Sequence, residues 1–222
     1  MNDDNLDFAG LFGAAFYGTI QNLSVDGKVV GRDFVGGLTG QVAYNGKIIN
    51  CCVSGTVSGN ESIGGLAGSI DGYSLNVTNC YTTNTVSGNE KVGGLVGSTN
   101  IGDITNCYAT GAVSGKEMVG GVAGYVTSIW YSTATVSNVA WDGMLVNGSI
   151  VTSNDGSSIH GTDIDKVNAK TQLAYTDYSQ FGLDWQFGNE DYSPWKMGVG
   201  DYPLPVFWWQ TKEPTADITH LE

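Results

Sequence analysis

Carboxylates, thiols, amides and aromatic rings recur at matched positions of this sequence, and each set could do chemistry. Four acids share one position: Asp33, Glu61, Glu90 and Glu117. Stacked carboxylates can hold Ca²⁺ through their oxygens. Lys91 and Lys116 stand beside them, however, and no carbonyl-rich loop accompanies them. The column therefore reads as a solvated turn, and no metal or cofactor is expected. Three cysteines, Cys51, Cys80 and Cys107, share a second position that Leu23 continues. Leucine in the same slot marks it as apolar, and a free cysteine behaves as a small buried hydrophobe. Stacked side chains on adjacent rungs come within disulfide distance but point the same way. With no CxxC pair and no neighbouring histidine, free buried thiols are expected. Cys52 takes the slot of Ser24, Tyr81 and Tyr108 and, by alternation, is expected to point outward.

Two further columns are polar or aromatic. Asn22, Asn50, Asn79 and Asn106 could be a polar ligand row. The structural reading is a ladder, because asparagine tolerates left-handed turns and its amides can bond up a stack. Tyr17, Tyr44 and Tyr73 fall near one offset and could stack on sugar rings or peptide side chains. The alternative is that each covers the loop below it. No carboxylate pair is marked out for acid–base work. The histidines are His160 and His220, and Arg32 is the single arginine, few basic groups for an acidic sugar substrate.

The elements that must position these columns are visible as a repeat. "FAGLFG", "VGGLTG", "IGGLAG", "VGGLVG" and "VGGVAG" end at Gly13, Gly40, Gly68, Gly97 and Gly124, so the period is 27 to 29 residues. A second motif, "IQNLS", "IINCC", "VTNCY", "ITNCY", begins at Ile20, Ile48, Val77 and Ile104. A third is the valine before a turn: Val29, Val57, Val86 and Val113. The intervals from second motif to valine, and from valine to the next closing glycine, are constant. All length variation falls between that glycine and the second motif. A fixed path of this period, rich in β-branched residues, predicts an all-β parallel β-solenoid of about five coils, with equivalent residues about 4.8 Å apart. Propeller blades are longer, and repeated hairpins show two-residue turn signals.

The glycine string reads as a corner. Val92 and Leu95 are three apart, as are their equivalents, so a straight strand would send them to opposite faces. A bend at the glycines lets both point inward. Residues 1–143 are assigned to the solenoid and residues 144–220 to a capping region. Its Trp185, Trp195, Trp208 and Trp209 could cover the open last coil or form a carbohydrate platform. A short helix is expected from an N-cap at Thr162 to about Tyr175, with Asp163 and Asp165 in its first turn. Met1 reads as an expression start inside a longer protein, and Leu221-Glu222 as a vector remnant, so further domains are expected.

Composition narrows the partners. The net charge is −13 and the pI about 4.2. Nucleic acid and anionic membranes need basic patches, so neither is expected as a partner. No run of 18 apolar residues occurs, so no membrane insertion is expected, and no signal peptide is visible.

The recurring "GGLVG" string, with "TNCYATG" and "VSG" between copies, resembles the GLUG-motif repeat over about residues 8–143. "FGLDWQF", "SPWKMG" and "YPLPVFWW" are similar to the segment that often follows such repeats. The first copy departs from the pattern, with Ala9 and Phe12 around Gly10. The resemblance implies a module of a large bacterial surface or secreted protein and brings no catalytic residues. The function expected is a non-enzymatic extracellular interaction module, an adhesin or scaffold region meeting host or matrix proteins. A glycan-binding module, and behind it a β-helix polysaccharide lyase or hydrolase, are the alternatives.

Overall fold

In the computed structural model, residues 3–72, 76–100, 102–127, 136–141, 144–151, 162–164, 168–176, 185–190, 193–199 and 204–210 are described. Tyr73, His160, Asp165, His220 and both terminal features expected from the sequence lie outside them.

The chain winds as an all-β parallel solenoid of about four turns. One coil shows the path. Asp33–Gly36 runs into the bend at Gly37 and Leu38, and Thr39–Ala43 leaves it. After a turn come Lys47–Ile49, the Asn50–Cys51 bend and Cys52–Ser58. A Gly59-Asn60 turn leads to the next coil at Glu61–Gly64. Each strand pairs with its counterpart one repeat away. Ile48 lies between Ile20 and Val77, and Val77 pairs on with Ile104. Val57 likewise lies between Val29 and Val86. The repeat is thus a ladder in which each residue type meets its own kind.

The glycine corners have a cause beyond the one expected from sequence. Among the described residues the glycines with left-handed φ are Gly55, Gly72 and Gly148, none of them in the repeated string. The left-handed turn falls on the residue before the corner's first aliphatic: Phe34 (φ 56°), Ser62 (φ 59°), Lys91 (φ 55°) and Met118 (φ 53°). What the closing glycines provide is space. A Cβ on Gly68 would lie 2.4 Å from the Phe34 carbonyl carbon, and one on Gly97 would lie 2.4 Å from the Ile63 nitrogen. The strand leaving each corner crosses the previous coil's entering strand at backbone contact, where no side chain fits.

That crossing divides the core. Val35, Ile63 and Val92 pack with Val29, Val57, Val86 and Val113 on one side. Leu38, Leu66, Leu95 and Val122 pack with Ile48, Val77, Ile104 and the three-cysteine column on the other. Both aliphatic residues are buried as expected in the Val35/Leu38, Ile63/Leu66 and Val92/Leu95 corners, and Val119 is partly buried, but they fall in two clusters rather than one.

The ladder continues past residue 143. Met144–Val146 pairs parallel with the Val113 strand, and Val136–Trp141 pairs parallel with Asp103–Ala109. Thr162–Ile164 adds to that edge as a strand, so the helix expected to start at Thr162 is replaced there. The β-branched Thr162 and Ile164 gain sheet pairing, whereas a short isolated helix is marginal in water. Helical turns come later, at Asn168–Lys170 and Gln172–Thr176, with Ala174 and Tyr175 buried.

Candidate functional site

Among the described residues, the variable turns of the first two coils carry the most exposed aromatic side chains of the repeats. Phe12–Phe16 pairs in register with Thr39–Ala43, which brings Tyr17 level with Tyr44. Their rings stack with centroids 4.9 Å apart and planes within 7°. Phe16 meets the Tyr44 ring edge-on at 5.7 Å. Tyr17 is 70% exposed, Tyr44 55% and Phe16 50%. Both tyrosines hold left-handed backbone, at φ 58° and 59°, a conformation that costs most side chains about 1–2 kcal/mol. In the next coil the Tyr44 nitrogen donates to the Asp71 carbonyl, so the rung above Tyr44 is occupied by Gly72. Tyr73 follows one residue later, where the loop is longer, and lies outside the described residues. Gln41, Asn45, Asp71 and Gly72 complete a cleft beside the rings. The sequence pointed to the tyrosines but not to Phe16 or Gln41, which only strand register brings alongside.

The asparagines form a continuous ladder. Asn50 Nδ2 donates to Asn22 Oδ1 at 3.1 Å, Asn79 to Asn50 at 3.2 Å and Asn106 to Asn79 at 3.3 Å. All four hold φ between 53° and 56°, the left-handed corner for which asparagine is suited. Their amides are directed at one another along the solenoid.

Cys51, Cys80 and Cys107 stack in the core beside this ladder, and all four cysteines are free and buried. The thiol of Cys51 is raised above its ordinary range, first by its hydrogen bond with Cys80 and then by burial. That of Cys80 is raised chiefly by burial. A protonated thiol in an apolar shell is a poor nucleophile, since the thiolate is the reactive species.

Cys52 departs from the sequence reading. It faces away from the core column, but it is buried, because residues of the C-terminal region cover that flank. Gln210 Nε2 donates to Cys52 Sγ at 3.2 Å, and Tyr81 donates its hydroxyl to Gln210 Oε1 at 2.8 Å. Tyr108 donates to the Pro205 carbonyl at 2.7 Å. The stacked Tyr81 and Tyr108 rings, 4.8 Å apart, meet Trp195, and Trp185 stacks on Trp195 at 4.7 Å. Of the tryptophans expected to form a cap or a platform, Trp185 and Trp195 are thus buried against the solenoid's flank, and Trp208 is partly exposed. The signal in the sequence was the tyrosine recurring at 81 and 108 beside apolar columns, where an outward ring needs cover.

Three acids of the column, Asp33, Glu61 and Glu90, have internal partners. Asp33 accepts from Asn60 Nδ2 at 2.9 Å, and Arg32 Nε lies 3.5 Å from its other oxygen. Lys91 bonds Glu61 and lies 3.5 Å from Glu90, and Glu61 in particular holds the Lys91 amine above its ordinary range. Among the described residues no group of three or more His, Cys, Asp or Glu side chains is placed to hold a metal ion.

Parallel sheets repeating every 27 to 29 residues define the chain as a β-solenoid repeat protein. The family model of the GLUG motif matches residues 88–114, one full unit of that ladder, which is consistent with a GLUG-motif repeat protein. No curated protein and no solved structure matches it.

Proposed function

We propose that this chain is a non-enzymatic interaction module of a bacterial surface or secreted protein, a rigid repeat region that presents ligand-contacting side chains at its variable turns. The observation that carries the reading is the exposed group of Phe16, Tyr17 and Tyr44 on the one stretch where repeat length varies. Solenoids often place their binding face where units vary, because the fixed path constrains those loops least. Asp33, Glu61 and Glu90 of the repeated column are engaged with Arg32, Asn60 and Lys91, which leaves them ill-suited to the paired acid–base roles of a glycosidase. Host or matrix proteins and surface glycans are the partner classes, and further domains of a longer parent chain would set the biological context.

The test is an array of extracellular-matrix proteins and glycans probed with the immobilised chain and with a Tyr17→Ala/Tyr44→Ala variant of unchanged circular dichroism. The expected result is at least one ligand whose signal falls about tenfold in the variant. Binding no stronger than that of an unrelated solenoid would overturn the proposal.

A further inference from the structure

We infer that a recess in the seam where corner strands cross, floored by Ser62, Ser69 and Ser98, takes a single neutral pyranose against the ring of Phe34. It shares no residue with the Phe16/Tyr17/Tyr44 group and goes beyond the contacts proposed for the variable turns.

Two columns make the seam. Along the entering strands the left-handed position carries Phe8, Phe34, Ser62, Lys91 and Met118. Along the leaving strands the residue after the closing glycine is Gln41, Ser69, Ser98 and Tyr125. The crossings set the columns side by side. A Cβ on Gly68, Gly97 or Gly124 would strike the backbone of Phe34, Ser62 or Lys91, so the next residues, Ser69, Ser98 and Tyr125, fall beside those three. Ser98 Oγ donates to Ser62 Oγ at 3.1 Å, and Lys91 Nζ lies 5.9 Å from the centre of the Tyr125 ring. Large side chains thus close the seam at the Phe34 rung and at the Lys91/Tyr125 rung, and serines open it between them. The opening is a recess of about 240 Å³. That is below the usual range for drug-sized ligands and suits one small ring.

Three features select the ligand. The first is an aromatic face. Phe8 stacks on Phe34 with centroids 5.0 Å apart and planes within 6°. In a stack along the solenoid the second face of Phe34 is turned to the next rung, which carries the small Ser62, and Phe34 lines the recess. A pyranose with axial hydrogens on one face presents a flat apolar surface that can continue such a stack. The second is a hydroxyl in want of a partner. Ile70 packs in the second core cluster, so by alternation its neighbour Ser69 faces the seam. Ser69 is only 5% exposed, and its side chain makes no hydrogen bond among the described residues. A buried polar group left unpaired is costly, and a sugar hydroxyl would satisfy it. The third is charge. Lys91, the basic residue of the lining, bonds Glu61 and lies 3.5 Å from Glu90, so its charge is already met. Asp71 on the rim accepts from Asn100 Nδ2 at 3.3 Å. An acidic sugar would meet these carboxylates, and a cationic ligand would find them engaged, whereas a neutral sugar meets neither obstacle.

The experiment is saturation-transfer NMR on the full chain with the methyl glycosides of glucose, galactose, mannose and N-acetylglucosamine. Galacturonate and Nα-acetyl-lysine amide form the comparison arms. At least one neutral glycoside is expected to receive saturation mainly at the protons of one ring face. Ser62→Phe continues the Phe8–Phe34 stack and fills the recess, and it should reduce that affinity about tenfold or more. The same column carries Phe34 and Met118 at left-handed φ, so the backbone there accepts a large side chain. Should Ser62→Phe lose its cooperative unfolding transition, Ser98→Tyr, which repeats the Tyr125 rung, is read in its place with the same expectation. Ser69→Ala should weaken binding about threefold or more and leave the urea midpoint unchanged, because its hydroxyl has no internal bond to lose. Tyr17→Ala/Tyr44→Ala should leave glycoside binding unchanged. Three outcomes overturn the inference: no transfer to any neutral glycoside, transfer that survives filling of the recess, or galacturonate or the lysine amide binding more tightly than every neutral glycoside. An array ligand lost in Tyr17→Ala/Tyr44→Ala, with no glycoside signal here, would uphold the turn-borne reading and sink this subsite. The reverse result would uphold the subsite and sink that reading.

Discussion

The repeats and the C-terminal region are held by opposite strategies. In the repeats, each residue meets its equivalent one coil away: Asn79 lies between Asn50 and Asn106, and Val77 between Ile48 and Ile104. In the C-terminal region the contacts are single and heterogeneous. Gln210 reaches Cys52, Tyr81 and the Phe207 nitrogen together, and Trp195 sits among Tyr81, Tyr108, Trp185 and Phe207. A repeated contact distributes its energy over many similar rungs, and stability is then approximately a sum of neighbour terms. A heterogeneous dock concentrates it in a few large aromatic side chains. Damage to a backbone crossing should therefore spread through the ladder, whereas damage to the dock should stay local.

The largest effect is expected from Gly68→Val. Its Cβ would meet backbone of Phe34 and Val35 at 2.4 and 2.5 Å, and backbone cannot rotate away. A loss beyond about 4 kcal/mol is expected, read as absence of a cooperative urea transition or of soluble protein. A midpoint within error of wild type would show that the corner can open without cost and would remove the reason given for the glycines.

Trp195→Ala comes next and separates the two regions. It is fully buried, and truncating such a side chain costs about 3–5 kcal/mol. The cost should fall on the C-terminal region alone. Alkylation followed by peptide mapping should then show Cys52 newly reactive while Cys51, Cys80 and Cys107 stay protected. Equal labelling of all four would mean that the dock and the ladder unfold as one unit.

Asn79→Ala should cost least, about 1–3 kcal/mol, because it leaves amide groups of Asn50 and Asn106 without their Asn79 partner. The denaturation midpoint should drop by more than in a surface Thr→Ala control. An equal drop would mean the ladder contributes nothing beyond its backbone turns.

The sequence by itself determined the solenoid. Period, constant intervals and the matching columns follow from residue types alone, because a parallel stack places identical positions side by side and so writes its geometry into the repeat. It determined the Asn ladder for the same reason, and it marked Tyr17 and Tyr44 because their turns alone vary in length. What it could not determine were contacts without periodicity. The burial of Cys52 depends on Gln210, 158 positions away, and no local pattern links them. The strand at Thr162–Ile164 was decided by an available sheet edge that overrode a capping signal. The role of the glycines was also decided in three dimensions. Their spacing announced a corner, but only the crossing of two backbones at Gly68 and Gly97 shows that absent side-chain volume, rather than φ freedom, is what those positions require.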